Sequence, residues 1–461
     1  MSDTASTAPS AEPLIVSVSG LRGIVGRTLT PEVAVRYAAA FAETLPAGAV
    51  VIGRDGRESG AAFAAAVADH LAAAGRDVID CGPAATPSIG IAIRALGAAG
   101  GIQISASHNP ARYTGMKLFA AEGRVLTAAA GRGVLARFES GAHAAPPSGT
   151  PRGTVRGFDV GPEHVRLVAA TVDVDAIRRH RPRVWLDSGH GAGSRVARLL
   201  FETLGCDFVI EGGTPDGLFE HDPEPTAENL AGMLPRITAS GADVGFFQDP
   251  DADRLAIATA DGAYIGEEAT LALAVEGVLA GTRGPVVVNC ATSGMTAAIA
   301  ARHGVPCHVA AVGEANVVDA MLAASAVIGG EGNGGVIDPR VVLVRDSFVA
   351  MALVLDRMCA GGTLQRVADL AGRLPRMVMR KAKVALSAET RGPALTAALE
   401  RVAAAFPGAR ADRLDGLRLD WDGGWLLVRG SNTEPIVRII AEAADAAAVD
   451  EAIARAATAL A

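Results

Sequence analysis

Aromatic side chains are scarce in this 461-residue chain: they fill 4% of positions although half of all residues are hydrophobic. Its cores must therefore rest on Ala, Val and Leu. Cysteine is sparse too. Cys81, Cys206, Cys290, Cys307 and Cys359 are odd in number and lack paired spacing, which excludes a disulfide framework and argues for reduced thiols in a cytoplasmic protein. No apolar run approaches the roughly 18 residues that cross a bilayer; Phe348 to Leu355 falls far short. Positive charge is in deficit, with 42 Lys and Arg against 50 Asp and Glu and a net charge of −8. That speaks against a general nucleic-acid binder, which would need a basic face. A phosphorylated small molecule is still admitted, because Arg22, Lys117, Arg254 and Arg429 can concentrate charge locally. Residues Met1 to Pro13 have neither a basic start nor an apolar core, so they read as a disordered tail and not as a signal peptide.

The length is too great for one core and suggests about three domains. Strand-like runs alternate with Ala-rich helical stretches, which is the α/β pattern. Thr30 and Pro31 read as an N-cap and first helical position, followed by an apolar side of Val33, Tyr37, Phe41 and Leu45. Val184 to Asp187 and Val286 to Asn289 read as opening strands of further α/β units. Gly189 to Ser194 invites a dinucleotide-binding reading, but Ser194 replaces the third glycine and the match is discarded. Ala145 to Gly153 is rich in Pro, Gly and Ser and reads as a surface loop.

Four clusters carry chemistry. In Ser105 to Pro110, a hydroxyl at Ser107 follows a buried strand and precedes His108 and the helix-blocking Pro110, which is how a nucleophile is presented beside a proton carrier. An ordinary polar turn is the competing reading. In Gln248 to Arg254, Asp249, Asp251 and Asp253 converge and repel unless a cation sits between them, which suits Mg²⁺ or Ca²⁺. An EF-hand would need Gly and Glu where Arg254 and Ala260 stand. An aspartyl-phosphate nucleophile would need a small hydroxylic residue in place of Arg254 or Leu255. A solvated acidic loop is the bland alternative. The run Gly329 to Gly335 surrounds Glu331 and Asn333 with five glycines, so backbone can approach a ligand and two polar side chains can match a pair of sugar hydroxyls. Finally, Arg429 to Pro435 joins a guanidinium to Ser431, Asn432 and Thr433 with free backbone N–H groups; with Arg438 nearby this makes a phosphate cradle.

In this order, these clusters resemble the α-D-phosphohexomutase superfamily over nearly the full chain. Smaller matches are Gly20-Leu21-Arg22-Gly23, Gly53-Arg54-Asp55 with Arg57-Glu58-Ser59, Thr86-Pro87, and Pro223-Glu224-Pro225 with Glu228-Asn229-Leu230. The resemblance implies a four-domain α/β architecture: three similar α/β domains with mixed sheets and a smaller C-terminal α+β domain around a central cleft, each giving one loop. On this reading the domains span 14–157, 158–262, 263–374 and 375–461.

The resemblance also implies a mechanism. Ser107 carries a phosphate, and Asp249, Asp251, Asp253 and a phosphoserine oxygen hold one Mg²⁺. A hexose phosphate binds with its own phosphate on the Arg429 loop and passes through a hexose 1,6-bisphosphate, which turns end for end. Arg254 lies beside the metal loop, and His108, Lys117 and Arg22 are all candidate general bases. Two departures stand out. Thr114 replaces the Asn of many relatives ahead of Lys117, and Asn333 and Gly335 replace the Ser and His of many bacterial sugar loops. The form Glu331-Gly332-Asn333-Gly334-Gly335 resembles the branch assigned as phosphoglucosamine mutase or phosphomannomutase/phosphoglucomutase, and glucosamine phosphate is the substrate expected. The rivals are a silent sugar-phosphate binder, which should have lost Ser107 or the aspartates, and a phosphoserine phosphatase. A homo-oligomer is admitted but not required by the sequence.

Overall fold

Short runs of β-branched and aliphatic residues form four sheets that follow one another along the chain. The computed structural model describes residues 13–141, 149–385, 393–430 and 436–460. In the first sheet Val50–Arg54 lies between Val78–Pro83 and Gly100–Ile104, all parallel. Parallel neighbours need crossovers, supplied by the helices Gly60–Ala73 and Thr86–Leu96. Tyr113–Ala120 then returns antiparallel to Gly100–Ile104, with Gly20–Ile24 and Ile15–Ser17 beyond it. Val155–Gly157 closes the other edge.

The next two sheets repeat this plan in smaller form. Arg183–Asp187 pairs in parallel with Asp207–Glu211 and Val244–Gln248, and Leu255–Thr259 turns back antiparallel. Val286–Asn289 pairs in parallel with Cys307–Ala310 and Ile328–Glu331, and Gly335–Ile337 turns back. The Ser107 turn, the aspartate turn and the Glu331–Gly335 turn therefore occupy one equivalent position: each links the last parallel strand to its antiparallel return. They lie at strand carboxyl ends, where open α/β sheets bind ligands. The fourth sheet is wholly antiparallel, ordered Val378–Ala385, Ile436–Ala443, Gly424–Gly430, Leu417–Trp421, Arg410–Asp412. The helices Pro393–Ala405 and Ala446–Leu460 pack on it.

One apolar body runs through the first three units, from Ile89 and Ile93 through Val165, Leu200 and Phe246 to Leu271 and Phe348. The C-terminal unit has its own core, around Val402, Leu426, Ile439 and Val449. A polar strut reinforces the first three. Ser88 Oγ lies 2.8 Å from His164 Nδ1, and His164 Nε2 lies 2.8 Å from Asp346 Oδ2. All three residues are buried, so this Ser-His-Asp chain ties the units together and has no route to a substrate.

Thr30 is the N-cap of the helix Pro31–Ala42, in which Tyr37 and Phe41 are buried. Leu45 lies beyond it, half-buried. It precedes Pro46, whose ring disfavours helical backbone one residue earlier. The third-unit strand also runs further than its apolar run suggests, because Gly329, Gly330 and Glu331 continue it. All five cysteines are free thiols. Among the described residues no helix is long and apolar enough to cross a membrane.

Candidate active site

Ser107 sits at the tip of the first equivalent turn with φ +50°, a left-handed conformation that costs a non-glycine residue about 1–3 kcal/mol. The surroundings impose it. Ser107 N donates to Ser105 Oγ at 2.8 Å. Arg57 Nη2 donates to the Ser107 and Asn109 carbonyls, each at 2.6 Å, and Nη1 donates to the Pro110 carbonyl at 2.8 Å. Asp55 fixes Arg57 in turn, accepting from its Nε and its backbone N–H at 3.0 Å, and accepts from Ser105 Oγ at 2.7 Å. The Gly53-Arg54-Asp55 and Arg57 motif is thus the frame of the Ser107 turn.

The second turn brings its carboxylates to that hydroxyl. Ser107 Oγ donates to Asp249 Oδ2 at 2.8 Å. Asp249, Asp251 and Asp253 are fully buried, and one oxygen of each lies within 4.8 Å of the others. Their remaining bonds divide the oxygens. Asp249 Oδ1 accepts from the backbone of Asp253 and Arg254 at 3.1 Å. Asp251 Oδ2 accepts from Thr86 Oγ1 at 2.5 Å and from Lys117 Nζ at 2.6 Å. Asp251 Oδ1 and Asp253 Oδ1 are buried with no hydrogen-bond partner among the described residues. Such orphaned acceptors are costly unless something fills their place. An oxygen-ligated divalent cation fits that set.

The glycine run Gly189 to Gly193 has a structural use here. Ala192 N donates to the Pro250 carbonyl at 2.8 Å, and a Cβ at Gly191 would meet that carbonyl. Small residues let this loop back the aspartate turn.

Cations surround the carboxylates. Lys117 Nζ also donates to Asp253 Oδ2 at 2.8 Å. Burial works against its charge, yet Asp251 and Asp253 outweigh burial and lift its pKa above the ordinary value. Arg254 Nε donates to Asp249 Oδ2 at 3.1 Å, and its Nη2 lies 3.5 Å from Ser107 Oγ. His108 Nδ1 lies 3.4 Å from Ser107 Oγ. Burial, then Arg254 and Arg22, push the His108 pKa down to about 2, so its ring is neutral. Arg22 is held below its ordinary value by burial, with Asp251 acting in the opposite sense. Thr114 is buried opposite Gly23 in the neighbouring strand; it leaves Lys117 directed at the aspartates.

In the third turn Glu331 is buried at the strand end. Its Oε1 accepts from Asn289 Nδ2 at 2.7 Å and Gly313 N at 3.0 Å, and its Oε2 from Arg345 Nη1 at 2.7 Å. Asn333 Oδ1 accepts from Gly335 N at 3.3 Å, closing the turn on itself. The Glu268 carboxylate lies against Gly332, with Oε2 accepting from Ser293 N at 2.9 Å and Oε1 without a hydrogen-bond partner among the described residues. Burial pushes its pKa up to about 8.

In the C-terminal unit Arg429 and Arg438 face each other across the hairpin. Arg429 Nε donates to Asp415 Oδ1 at 3.2 Å, while Asp415 Oδ2 accepts from Val312 N at 3.0 Å. Arg429 is thereby moored to the segment that holds Glu331. Ser431, Asn432 and Thr433 lie outside the described residues.

Ser107, His108, Lys117, the aspartates and Arg254 are thus brought together, and Glu331 joins them through Arg345. The motifs gave no sign of Arg345, of Asn289, or of Glu314, whose Oε1 accepts from the Arg345 backbone N–H; all three reach the site from segments without a signature. Thr86 was visible only as a small match.

Comparison with known proteins agrees with this layout. Residues 14–144, 162–262 and 267–377 match the phosphoglucomutase/phosphomannomutase alpha/beta/alpha domains I, II and III, and residues 383–459 match the C-terminal domain of the same family. A phosphoglucomutase/phosphomannomutase of Thermococcus kodakarensis is 37% identical, covering 92% of this chain and 93% of that protein. A "probable phosphoglucosamine mutase" of the same organism is 33% identical with the same coverage. A crystal structure of a phosphoglucomutase/phosphomannomutase family protein from Burkholderia thailandensis superposes with a TM-score of 0.82 at 27% identity, covering 97% of this chain and 98% of that one. The chain belongs to the phosphoglucomutase/phosphomannomutase family of phosphohexomutases, four-domain isomerases that act as intramolecular phosphotransferases.

Proposed function

We propose that this phosphohexomutase interconverts hexose 6-phosphate and hexose 1-phosphate through a phosphate carried on Ser107. The observation that carries the reading is the 2.8 Å contact between Ser107 Oγ and Asp249 Oδ2, beside two buried carboxylate oxygens without hydrogen-bond partners among the described residues. Asp249, Asp251, Asp253 and a phosphoserine oxygen would hold one Mg²⁺, which offsets charge on the phosphoryl group. The bond from phosphorus to Ser107 Oγ breaks as a bond forms to the sugar hydroxyl oxygen. That hydroxyl's proton passes to a nearby base; His108, whose ring nitrogen is 3.4 Å from Ser107 Oγ, Lys117 and Arg22 are the candidates. Lys117 and Arg254 hold the carboxylates, and Arg22 adds positive charge. Glu331 and Asn333 read the ring hydroxyls. Arg429 and Arg438, with Ser431, Asn432 and Thr433, take the non-reacting phosphate. The hexose 1,6-bisphosphate then reverses and returns its other phosphate to Ser107. Domain limits near residues 157, 262 and 374 and a cytoplasmic setting for the free thiols complete the reading.

Glucosamine phosphate is the substrate we favour. The buried Glu268 carboxyl against the sugar loop, with one oxygen lacking a hydrogen-bond partner among the described residues, suits the ammonium at carbon 2, whose charge would draw off the proton that burial favours on it. Mannose and glucose phosphates form the second reading, favoured by the name of the relative at 37% identity. The test compares kcat/KM for glucosamine, mannose and glucose 1-phosphates with and without glucose 1,6-bisphosphate. The reading expects isomerisation stimulated by the bisphosphate and fastest with glucosamine. Steady release of inorganic phosphate without isomerisation contradicts the mutase, and equal rates on all three contradict the substrate choice.

A further inference from the structure

Arg345 is absent from every motif, yet it joins the two turns on which the chemistry depends. Its Nη1 donates to Glu331 Oε2 at 2.7 Å and its Nη2 to Asp253 Oδ2 at 2.6 Å. The Arg345 backbone N–H donates to Glu314 Oε1 at 2.8 Å, and its Nε lies 3.6 Å from Glu314 Oε2. A carboxylate offers about four acceptor sites. Three of those on Glu331 are taken by Asn289, Gly313 and Arg345, which leaves one on Oε2. The direction of that last site is set by the guanidinium.

A planar fork holds these two carboxylates on separate nitrogens in one fixed plane; an ammonium, as at Lys117, binds two carboxylates from a single point and fixes no such plane. The path of the arginine depends on a second residue. A Cβ at Gly335 would fall inside contact distance of Arg345 Cδ and Cγ, its two nearest neighbours. Gly335 is not at positive φ, so its backbone does not itself call for glycine. The missing side chain makes room for Arg345.

We propose that Arg345 is a positioning residue that aims Glu331 at the sugar hydroxyls, and that Gly335 is glycine to let it through. The inference rests on the hexose-phosphate reading above. It excludes a role limited to neutralising buried carboxylates, because a lysine would satisfy that role.

The test measures kcat and KM for hexose 1-phosphate isomerisation, at saturating glucose 1,6-bisphosphate, in the full-length protein. The variants are Arg345→Lys, Arg345→Ala, Gly335→Ala and the double Gly335→Ala/Arg345→Ala. Losing a charge-assisted hydrogen bond should raise KM about tenfold in Arg345→Lys, with kcat changing less. Gly335→Ala, which keeps every charge and so tests the idea even if Arg345→Ala fails to fold, should raise KM at least about threefold on the same grounds. In the Arg345→Ala background the alanine at 335 has nothing to displace, so the double should match Arg345→Ala within about twofold. KM rises below these in Arg345→Lys and Gly335→Ala, or a Gly335→Ala effect undiminished in the double, overturn the assignment. A wild-type protein that does not isomerise hexose phosphates sinks the hexose-phosphate reading, and this inference with it; normal wild-type turnover with unmoved KM values sinks the inference alone.

Discussion

Thr86 Oγ1 donates to Asp251 Oδ2 at 2.5 Å, and the Thr86 backbone N–H donates to the Asp251 carbonyl at 2.9 Å. The first unit thus holds the aspartate turn of the second through a helix start, independently of Ser107. Thr86→Val should remove the side-chain bond, leave Lys117 as the partner of that oxygen, and cost about 1–2 kcal/mol. The Mg²⁺ concentration for half-maximal activity should rise several-fold. Denaturant melts and a Mg²⁺ titration check both effects.

Arg57 makes three hydrogen bonds to the backbone of the Ser107 turn. Arg57→Lys keeps the charge beside Asp55 but cannot make all three. The left-handed backbone at Ser107 then loses its support, and kcat should fall about 10- to 100-fold as the nucleophile drifts. Rapid-quench measurement of Ser107 phosphorylation by glucose 1,6-bisphosphate should show the same loss.

His221 faces two acceptors: Nε2 is 2.7 Å from Asp187 Oδ2 and Nδ1 is 2.7 Å from the Asp222 carbonyl. Only the doubly protonated ring satisfies both. Burial opposes that form, but the Asp187 carboxylate outweighs burial and the pKa is raised. A raised folded-state pKa gives stability that is complete below the unfolded value of about 6.5 and is lost as pH climbs through the folded one. The difference in Tm between wild type and His221→Gln should therefore shrink from pH 5.5 to pH 8.5. A difference that grows with pH contradicts the pairing.

Glu268→Gln removes the group beside Gly332 that can ionise against a bound ammonium while keeping the shape. If that carboxylate receives the substrate's ammonium, kcat/KM for glucosamine 1-phosphate should fall about tenfold relative to glucose 1-phosphate. An unchanged ratio moves the preference toward the second substrate reading.

The fold and the site were legible in the sequence to different depths. Ser107, the three aspartates and Glu331 stood out because each lies at the end of a buried strand or in the turn that directly follows one, so their chemistry and position are encoded locally. The α/β repeat was legible for the same reason. Residues that act across the chain left no local trace. Arg345 and Glu314 look like ordinary surface charges in sequence, and only the packing of the second and third units makes them neighbours of Asp253 and Glu331. Gly189 to Gly193 was rightly refused as a dinucleotide site, but its use was hidden in the sequence: its glycines permit close backbone approach, and the partner is the Pro250 carbonyl. Leu45 keeps the helical spacing, yet Pro46 ends the helix before the pattern does.

Whether Ser107 lends its phosphoryl group to a sugar decides the mechanism. The direct measurement loads the protein with radiolabelled phosphate from labelled glucose 1,6-bisphosphate, removes free ligand, and adds unlabelled hexose 1-phosphate in a single turnover with Mg²⁺. Label leaving Ser107 and appearing in hexose bisphosphate and hexose 6-phosphate, with no loading of Ser107→Ala, is the result expected. Label released only as inorganic phosphate, or loading that persists in Ser107→Ala, contradicts it.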